Sequence, residues 1–467
     1  MGRGIGGHGR SWDNPVVGQQ GKSVKNIFVM GLEPFNLELL QTIRGDERLR
    51  FHTLFEHDEV VHSPDKGYPP LDLLVKRADE AAEKVPGGMD AVIGYWDFPT
   101  SCVVPMIARH RGLPGPTLES VGRCEHKYWS RLEQRGVVPE YVPRFQAIDP
   151  FADDPLKGLE LDYPFWLKPV KAHSSFLGFY IDSAERFDEH LDEIRQKIGL
   201  MGDSFNEFLS HVDLPEHVRE VDGNHCIAEE IIASGGQCTL EGYSWNGRVD
   251  ILGIVDSVRS GKHRSSFTRY QYPSKLPRRV QARIIETSSK VMRHLGYDGA
   301  AFNIEYFWNA DSGRLSLLEI NARISKSHSP LFLMVDGATN QKAIVDLALG
   351  RKPDFPHRQG VHKVAAKFML RYFKDGILER VPTEDDIERL KSTFSEAQIR
   401  LVAPEGVRLS DLKMQDSYSY EVAEVFLGAA SQKDLLERYR QALDILNFRV
   451  RPLGRKRASG EKKAEAK

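Results

Sequence analysis

Between Arg314 and His328 the chain reads R-L-S-L-L-E-I-N-A-R-I-S-K-S-H, and this stretch, taken with Glu305 upstream, restricts the possible folds more than any other. Leu315, Leu317 and Ile320 alternate loosely with polar neighbours, which is the pattern of a strand. Successive side chains in a strand point to opposite faces, so Glu319, Asn321 and Arg323 share one face. Glu305 belongs to its own apolar segment, A-A-F-N-I-E-Y-F-W, and Asn309 to Gly313 supply turn residues between the two. An antiparallel hairpin would set Glu305 beside Glu319 and Asn321. Two carboxylates and an amide oxygen facing one way make a hard-oxygen site suited to Mg²⁺, and Arg323 next to them suits a phosphate or a carboxylate. These residues alone leave a plainer reading open, a salt-bridged strand face of the kind that cross-strand pairing makes common.

At 467 residues the chain is long for one domain, and about three is the expectation from length. No apolar run approaches the length of a membrane span. The N-terminal M-G-R-G-I-G-G-H-G-R has no apolar core for a signal peptide, and Gly6 replaces the Ser or Thr of a myristoylation signal. A net charge of −2 carries no electrostatic footprint for nucleic acid. Cys102, Cys124, Cys226 and Cys238 have no C-x-x-C spacing and read as reduced thiols of a cytoplasmic protein. No H-E-x-x-H, G-x-S-x-G or Walker A motif occurs, so metal chemistry here would be carboxylate chemistry.

Residues 1–22 are Gly-rich and polar and read as a disordered tail. Residues 23–117 alternate strands with helices: strands over N-I-F-V-M-G, Arg50 to Phe55 and M-D-A-V-I-G-Y-W-D, helices over Pro34 to Arg44, Leu71 to Glu83 and Pro99 to Arg111. That spacing implies a parallel sheet covered on both faces, with Asp97 at a strand's carboxyl end. Asp97 reads first as a helix N-cap before Phe98-Pro99, and second as a substrate contact. From Leu118 a single helix carrying Lys127, Trp129 and Leu132 is expected, stopped at Gly136. The strand Y-P-F-W-L-K-P-V ends in Lys168-Pro169. Lys171 to Ser175 then form a short polar loop, either an ordinary hairpin loop or a phosphate cradle. Ala184 to Ile198 reads as a helix, Gly202 to Asn224 as an excursion without a clear period. His225 to Ser257 reads as antiparallel strands with Gly-Gly and Asn-Gly turns. Lys262 to Pro277 reads as a basic, aromatic surface loop, Val280 to Gly296 as a helix, and Lys342 to Leu349 as another. Residues 351–452 form a smaller α+β domain, and 453–467 a mixed-charge tail.

Taken in order, these pieces resemble the ATP-grasp superfamily, in its carboxylate–amine ligase branch that includes dipeptide-forming enzymes. The likeness runs from Lys25 to Pro452 and rests on several motifs in sequence order. It implies mixed α/β and α+β architecture: an N-terminal parallel α/β domain, a central ATP-binding domain of two α+β subdomains over residues 118–350, and the small C-terminal domain. Lys127 in H-K-Y-W is similar to the family's first ATP lysine, and Lys168 in L-K-P to the second. Residues 171–178, with Ser174 and Ser175, stand where the family has its phosphate loop. Glu229, Glu230, Ile231 and Ile232 resemble the hinge that binds adenine. Glu305, Glu319 and Asn321 match the metal ligands, and Arg323 the active-site arginine. Three features depart from the family pattern: the loop A-H-S-S-F lacks the usual glycines, Gln237 replaces a glutamate that holds the ribose, and Ser325-Lys326-Ser327-His328 replaces Gly-Gly.

The resemblance implies a cytoplasmic ligase using ATP with Mg²⁺, or Mn²⁺, to activate a carboxylate as an acylphosphate and join it to an amine. Lys168 and Arg323 would act on the reacting groups. The partners would be small molecules, with no nucleic acid or membrane, and a homodimer is the default assembly. The alternatives are biotin-carboxylase-like activation of bicarbonate and a nucleotide-binding module without catalysis.

Overall fold

The computed structural model describes residues 23–61, 67–173, 176–232, 235–260, 266–412 and 419–453. Ser174 and Ser175 lie outside these residues, as do nearly all of the two expected tails. The chain divides into two compact units, Met1–Asp256 with Tyr272–Val361, and Ser257–Gln271 with His362–Lys467.

The first unit begins with β1 (Val24–Met30), β2 (Arg48–Leu54) and β3 (Ala91–Ile93), parallel in the order β2-β1-β3. Ile27 to Met30 are fully buried, as a central parallel strand covered on both faces requires. Pro34–Leu40 and Leu71–Glu83 are helices of the crossovers, and Thr100–Arg111 follows β3. Gly31 leaves β1 at φ +65°, where a Cβ would press on Trp96 Nε1 at 3.1 Å. The missing side chain lets Trp96 Nε1 donate to the Gly31 carbonyl at 2.9 Å, which fixes the Trp96–Asp97 turn at the carboxyl end of the sheet.

A four-stranded antiparallel sheet follows, made of β4 (Phe145–Ile148), β5 (Phe165–Pro169), β6 (Phe179–Ile181) and β7 (Cys226–Glu230) in the order β4-β7-β5-β6. Phe165, Leu167 and Ile181 pack on Phe187 and Ile194 of the helix Ala184–Lys197. Next come β8 (Gly236–Trp245), β9 (Arg248–Ser260), β10 (Ser266–Tyr272), β11 (Ala300–Trp308) and β12 (Leu315–Asn321). Within the first unit they run β12-β11-β8-β9. Asn246 and Gly247 both take positive φ between β8 and β9, the conformation that makes Asn-Gly a two-residue hairpin turn. The helix Arg278–His294 buries Val280, Ile284 and Val291.

Three expectations are corrected here. The single helix from Leu118 is two helices, Leu118–Glu125 and Lys127–Val137. His126 breaks them, because its ring Nδ1 accepts from Trp129 N at 3.2 Å and so caps the second helix. Gly136 stops nothing, since that helix runs to Val137, just before Pro139. The supposed excursion holds the helix Gly199–Leu209, which lacks a side-chain cap and contains two glycines but buries Met201, Phe205 and Phe208. Part of the supposed surface loop is strand β10, while residues 261–265 lie outside the described chain.

The second unit is α+β. Its strands are β10, β13 (Val364–Tyr372), β15 (Gln398–Leu401) and β16 (Tyr420–Ala429) in the order β10-β13-β16-β15, with a separate pair of β14 (Gly376–Arg380) and β17 (Arg449–Pro452). The helices Glu384–Thr393 and Gln432–Leu446 cover one face, where Phe368 stacks on Tyr439 at 3.9 Å. Thr383 and Asp386 form a capping box that starts the first of these helices. Among the described residues no helix is long and apolar enough to cross a membrane.

Candidate active site

β11 and β12 pair antiparallel with Glu305 opposite Glu319 and Asn303 opposite Asn321, and a bulge follows Glu305. Residues directly opposite in a ladder share a face, so the two acids meet. Their neighbours Ile304, Tyr306 and Ile320 are buried in the core, which fixes the register. Lys127, the first residue of its helix, places Nζ 2.9 Å from Glu319 Oε1 and 2.7 Å from the Ala172 carbonyl. Gln237 Nε2 donates to Glu305 Oε2 at 2.8 Å. Burial pushes Glu305 up, and the like charge of Glu319 pushes it further, to about 7, although Arg323 and Gln237 pull the other way. Glu319 is also pushed up by burial, but Lys127 and Lys168 win and hold it below the usual carboxylate range.

Arg323 turns from the end of β12 toward the first sheet. Its Nε donates to Asp97 Oδ1 at 2.9 Å, and its terminal nitrogen makes a second, shorter bond to the same oxygen. Asp97 therefore does not cap the helix: Pro99 occupies the N-cap of Thr100–Arg111 and no side chain caps it. Burial would raise Asp97, but Arg323, with His173 and Lys171 behind it, holds it at about 2. Asn321 Nδ2 donates to Asn303 Oδ1 at 2.9 Å, and Asn303 Nδ2 to the Arg323 carbonyl at 2.9 Å, so the turn carrying Arg323 is tied to β11.

The arrangement of sheets and helices has parallels among solved structures. An L-amino acid ligase from Bacillus licheniformis superposes with a TM-score of 0.66 at 17% identity, over 92% of this chain and 99% of that one. A phosphoribosylglycinamide synthetase from Anaerococcus prevotii matches at 0.57 and 15% identity, over 92% and 100%. A biotin carboxylase from Campylobacter jejuni, in complex with β,γ-ATP, matches at 0.59 and 14% identity, over 92% of both chains. Residues 267–354 match the family model for the ATP-binding domain of the carbamoyl-phosphate synthase L chain. The fold is ATP-grasp. No match was found among curated protein sequences.

In this ATP-grasp chain Lys168, at the end of β5, reaches Glu229 Oε2 on β7 at 2.7 Å. Arg131 Nε holds the other carboxylate oxygen at 2.6 Å, and its two terminal nitrogens donate to the carbonyls of Leu317 and Leu318. Glu229 is 4% exposed, and the two cations overcome its burial and hold it at about 2. Its side chain is thus committed to a buried cluster. Glu230 accepts from Arg144 N at 3.3 Å, and Ile231 and Ile232 follow half-buried. Lys171 is buried against Phe98 and Phe205 and paired with Glu125, whose other oxygen accepts from Ala322 N at 3.3 Å. Sequence reasoning assigned nothing to Arg131 or Glu125, and it set Lys171 at the head of the expected phosphate loop, whereas its ammonium is buried and paired with Glu125. The signal for Arg131 was its i+4 spacing from Lys127 on one helix.

Among the described residues no group of three or more His, Cys, Asp and Glu side chains is arranged to hold a metal ion. The hairpin instead offers two carboxylates and an amide oxygen. The like-charge contact that raises Glu305 is what a hard divalent cation would relieve, and the donor chemistry fits Mg²⁺ or Mn²⁺.

Proposed function

We propose that the chain is an ATP-dependent ligase that activates a carboxylate as an acylphosphate and joins it to an amine. The observation that carries this reading is the pairing of Glu305 with Glu319, flanked by Lys127 on one side and Arg323 on the other. Glu305, Glu319 and Asn321 would hold Mg²⁺ or Mn²⁺, whose chemistry is to neutralise phosphate charge during phosphoryl transfer. Lys127 and Lys168, paired with Glu319 and Glu229, bring positive charge to the phosphate side of the site. The backbone of Glu229 to Ile232 suits an adenine edge. Gln237, expected at the ribose, also orients Glu305.

In the reaction a carboxylate oxygen of the acid bonds to the γ-phosphorus and ADP leaves with the electron pair of the broken P–O bond. The amine nitrogen then bonds to the acyl carbon, phosphate leaves, and the nitrogen loses its proton to give the amide. Arg323 stabilises the oxyanion formed at that carbon. Acid and amine are small molecules met in the cytoplasm.

Phosphate release from ATP and Mg²⁺ against amino acids and small carboxylates, singly and in pairs, tests this. Release that needs one acid and one amine, with the condensed product seen by mass spectrometry, is the expected result. The likeness to a biotin carboxylase over 92% of both chains supports a second reading, bicarbonate activation. Release that depends on bicarbonate and rises with free biotin would put that reading in its place. Tight ATP binding with no release from any combination would leave a module that binds nucleotide only.

A further inference from the structure

Ser325-Lys326-Ser327-His328, which stand in place of the family's Gly-Gly, lie in the turn between β12 and the helix Ser329–Asp336. The turn is held from the sheet side. Ser325 N donates to Glu241 Oε1 of β8 at 3.0 Å, and Asn340 Nδ2 donates to the Ser325 carbonyl at 3.1 Å. His328 Nδ1 lies 2.8 Å from the same Glu241 oxygen, and both side chains are buried. A turn anchored on either side of Lys326 through buried hydrogen bonds sets the direction in which its side chain leaves.

Lys326 crosses to the carboxyl end of the parallel sheet. Its Nζ sits 3.9 Å from the centre of the Trp96 ring and 3.5 Å from Glu33 Oε1. Glu33 is itself aimed. Asn36 Nδ2 donates to its Oε1 at 2.6 Å, and Gln341 Nε2 donates to Asn36 Oδ1 at 2.8 Å, with Asn36 and Gln341 both buried. The Trp96 ring is fixed by its bond to the Gly31 carbonyl and by the edge contact with His57 at 4.7 Å. An oriented carboxylate beside an aromatic face is the chemistry by which proteins recognise an ammonium group. Trp96 and Asp97 are consecutive, so one dipeptide lodges two cations, Lys326 on the ring and Arg323 on the carboxylate. The Arg323–Asp97 pair already joins these two turns. What Lys326 adds is a positive charge that fills the ammonium site next to the guanidinium assigned above to the acyl group.

We propose that Lys326 sets the specificity of the ligase by filling this ammonium site, so that the acid it activates is a carboxylate without a free ammonium near its carboxyl carbon. The assignment rests on the ligase reading above. An acid with an uncharged chain meets no conflict there. An amino acid would bring its own ammonium to a place where Lys326 already engages Glu33 and the ring, and the two like charges would repel.

Lys326→Ala leaves room for propylammonium, whose heavy atoms match those it removes, and calorimetric titration of the full chain with that cation tests the site. The variant is expected to bind propylammonium at least about tenfold more tightly than the native chain does. Lys326→Met keeps an unbranched stem in the site and should bind it no better than the native chain. Adding Glu33→Gln to Lys326→Ala should remove the gain. Absence of binding to Lys326→Ala at about 100 mM overturns the ammonium site. Equal binding by the Ala and Met variants overturns its location.

Hydroxylamine trapping with ATP and Mg²⁺ then tests the specificity. The hydroxylamine nitrogen bonds to the acyl carbon of the acylphosphate, phosphate leaves, and the nitrogen loses a proton to give the hydroxamate. The acids are offered in matched pairs: propionate and alanine, butyrate and 4-aminobutyrate, succinate and aspartate, 3-phenylpropionate and phenylalanine. The native chain is expected to favour the member without an ammonium by at least about tenfold, and Lys326→Ala should shift that ratio about 10–100-fold toward the amino acid. A native preference for the amino acids overturns the assignment, and so does a ratio unchanged in Lys326→Ala. No hydroxamate from any carboxylate overturns the ligase reading itself, whatever the propylammonium titration shows.

Discussion

Glu229 and Glu305 are carboxylates of one site treated in opposite ways. Glu229 lies between Arg131 and Lys168, and two cations outweigh the burial of its charge and hold it at about 2. Glu305 faces Glu319, so burial and a like charge act together and raise it to about 7. The first is a finished structural contact: Arg131 also satisfies two carbonyls of β12 and joins its helix to the strand that carries Glu319. The second is an arrangement whose repulsion a bound cation would relieve. The contrast separates the residue that holds the site together from the residues offered to a ligand, although both belong to motifs that the sequence marks equally.

The sharpest break of this comparison is catalytic. Glu319→Gln is expected to lower ATP-dependent product formation on the order of 10³-fold, with circular dichroism and urea midpoint unchanged. Glu229→Gln should do the reverse first, lowering unfolding free energy by about 3–5 kcal/mol in urea titration, because it leaves buried Arg131 without its counter-charge. If Glu229→Gln proved as stable as the native chain, the cluster would not be structural. Gln237→Ala comes next: Mn²⁺ affinity, read by electron paramagnetic resonance without turnover, should fall about 10–100-fold as Glu305 loses its orienting donor. Nucleotide affinity measured without metal should stay unchanged, whereas a role at the ribose alone would give the opposite pair of results.

The smallest effect is the pH dependence of stability, and its sign differs between the two acids. Glu305 has a raised folded value, so the native state holds its proton longer than the unfolded chain, and stability falls as pH rises from the usual glutamate value toward about 7. Glu229 has a lowered folded value, so its contribution is full above the usual value and is lost as pH falls toward about 2. Thermal midpoints across this range should show Glu305→Gln removing the loss on the alkaline side, and added Mg²⁺ should mimic it in the native chain. A variant whose profile overlays the native one would remove Glu305 from the pair.

Much of the fold could be read from local pattern. The two-residue period of A-A-F-N-I-E and L-S-L-L-E-I-N, with turn residues between them, sets Glu305 opposite Glu319, because a slip by one residue would expose Ile304 and Ile320. The parallel N-terminal sheet followed from strands and helices alternating at crossover spacing. What was misread has local causes too. His126 breaks a helix through a ring nitrogen, a rare cap, and Gly199–Leu209 forms against weak propensity because its phenylalanines have a core to enter. Asp97 before a proline looks like a cap, and nothing near it in the chain announces a partner at position 323.

The sequence by itself determined the strand and helix periods, the hairpin of acids and the set of lysines and arginine that accompany it. Those depend on contacts between residues close in the chain. Tertiary structure alone decided that Asp97 faces Arg323, that Arg131 and Lys168 share Glu229, and that Gln237 serves Glu305. Each of these joins segments separated by long stretches of chain, where no local period carries the pairing and only the packing of the sheets brings the groups together.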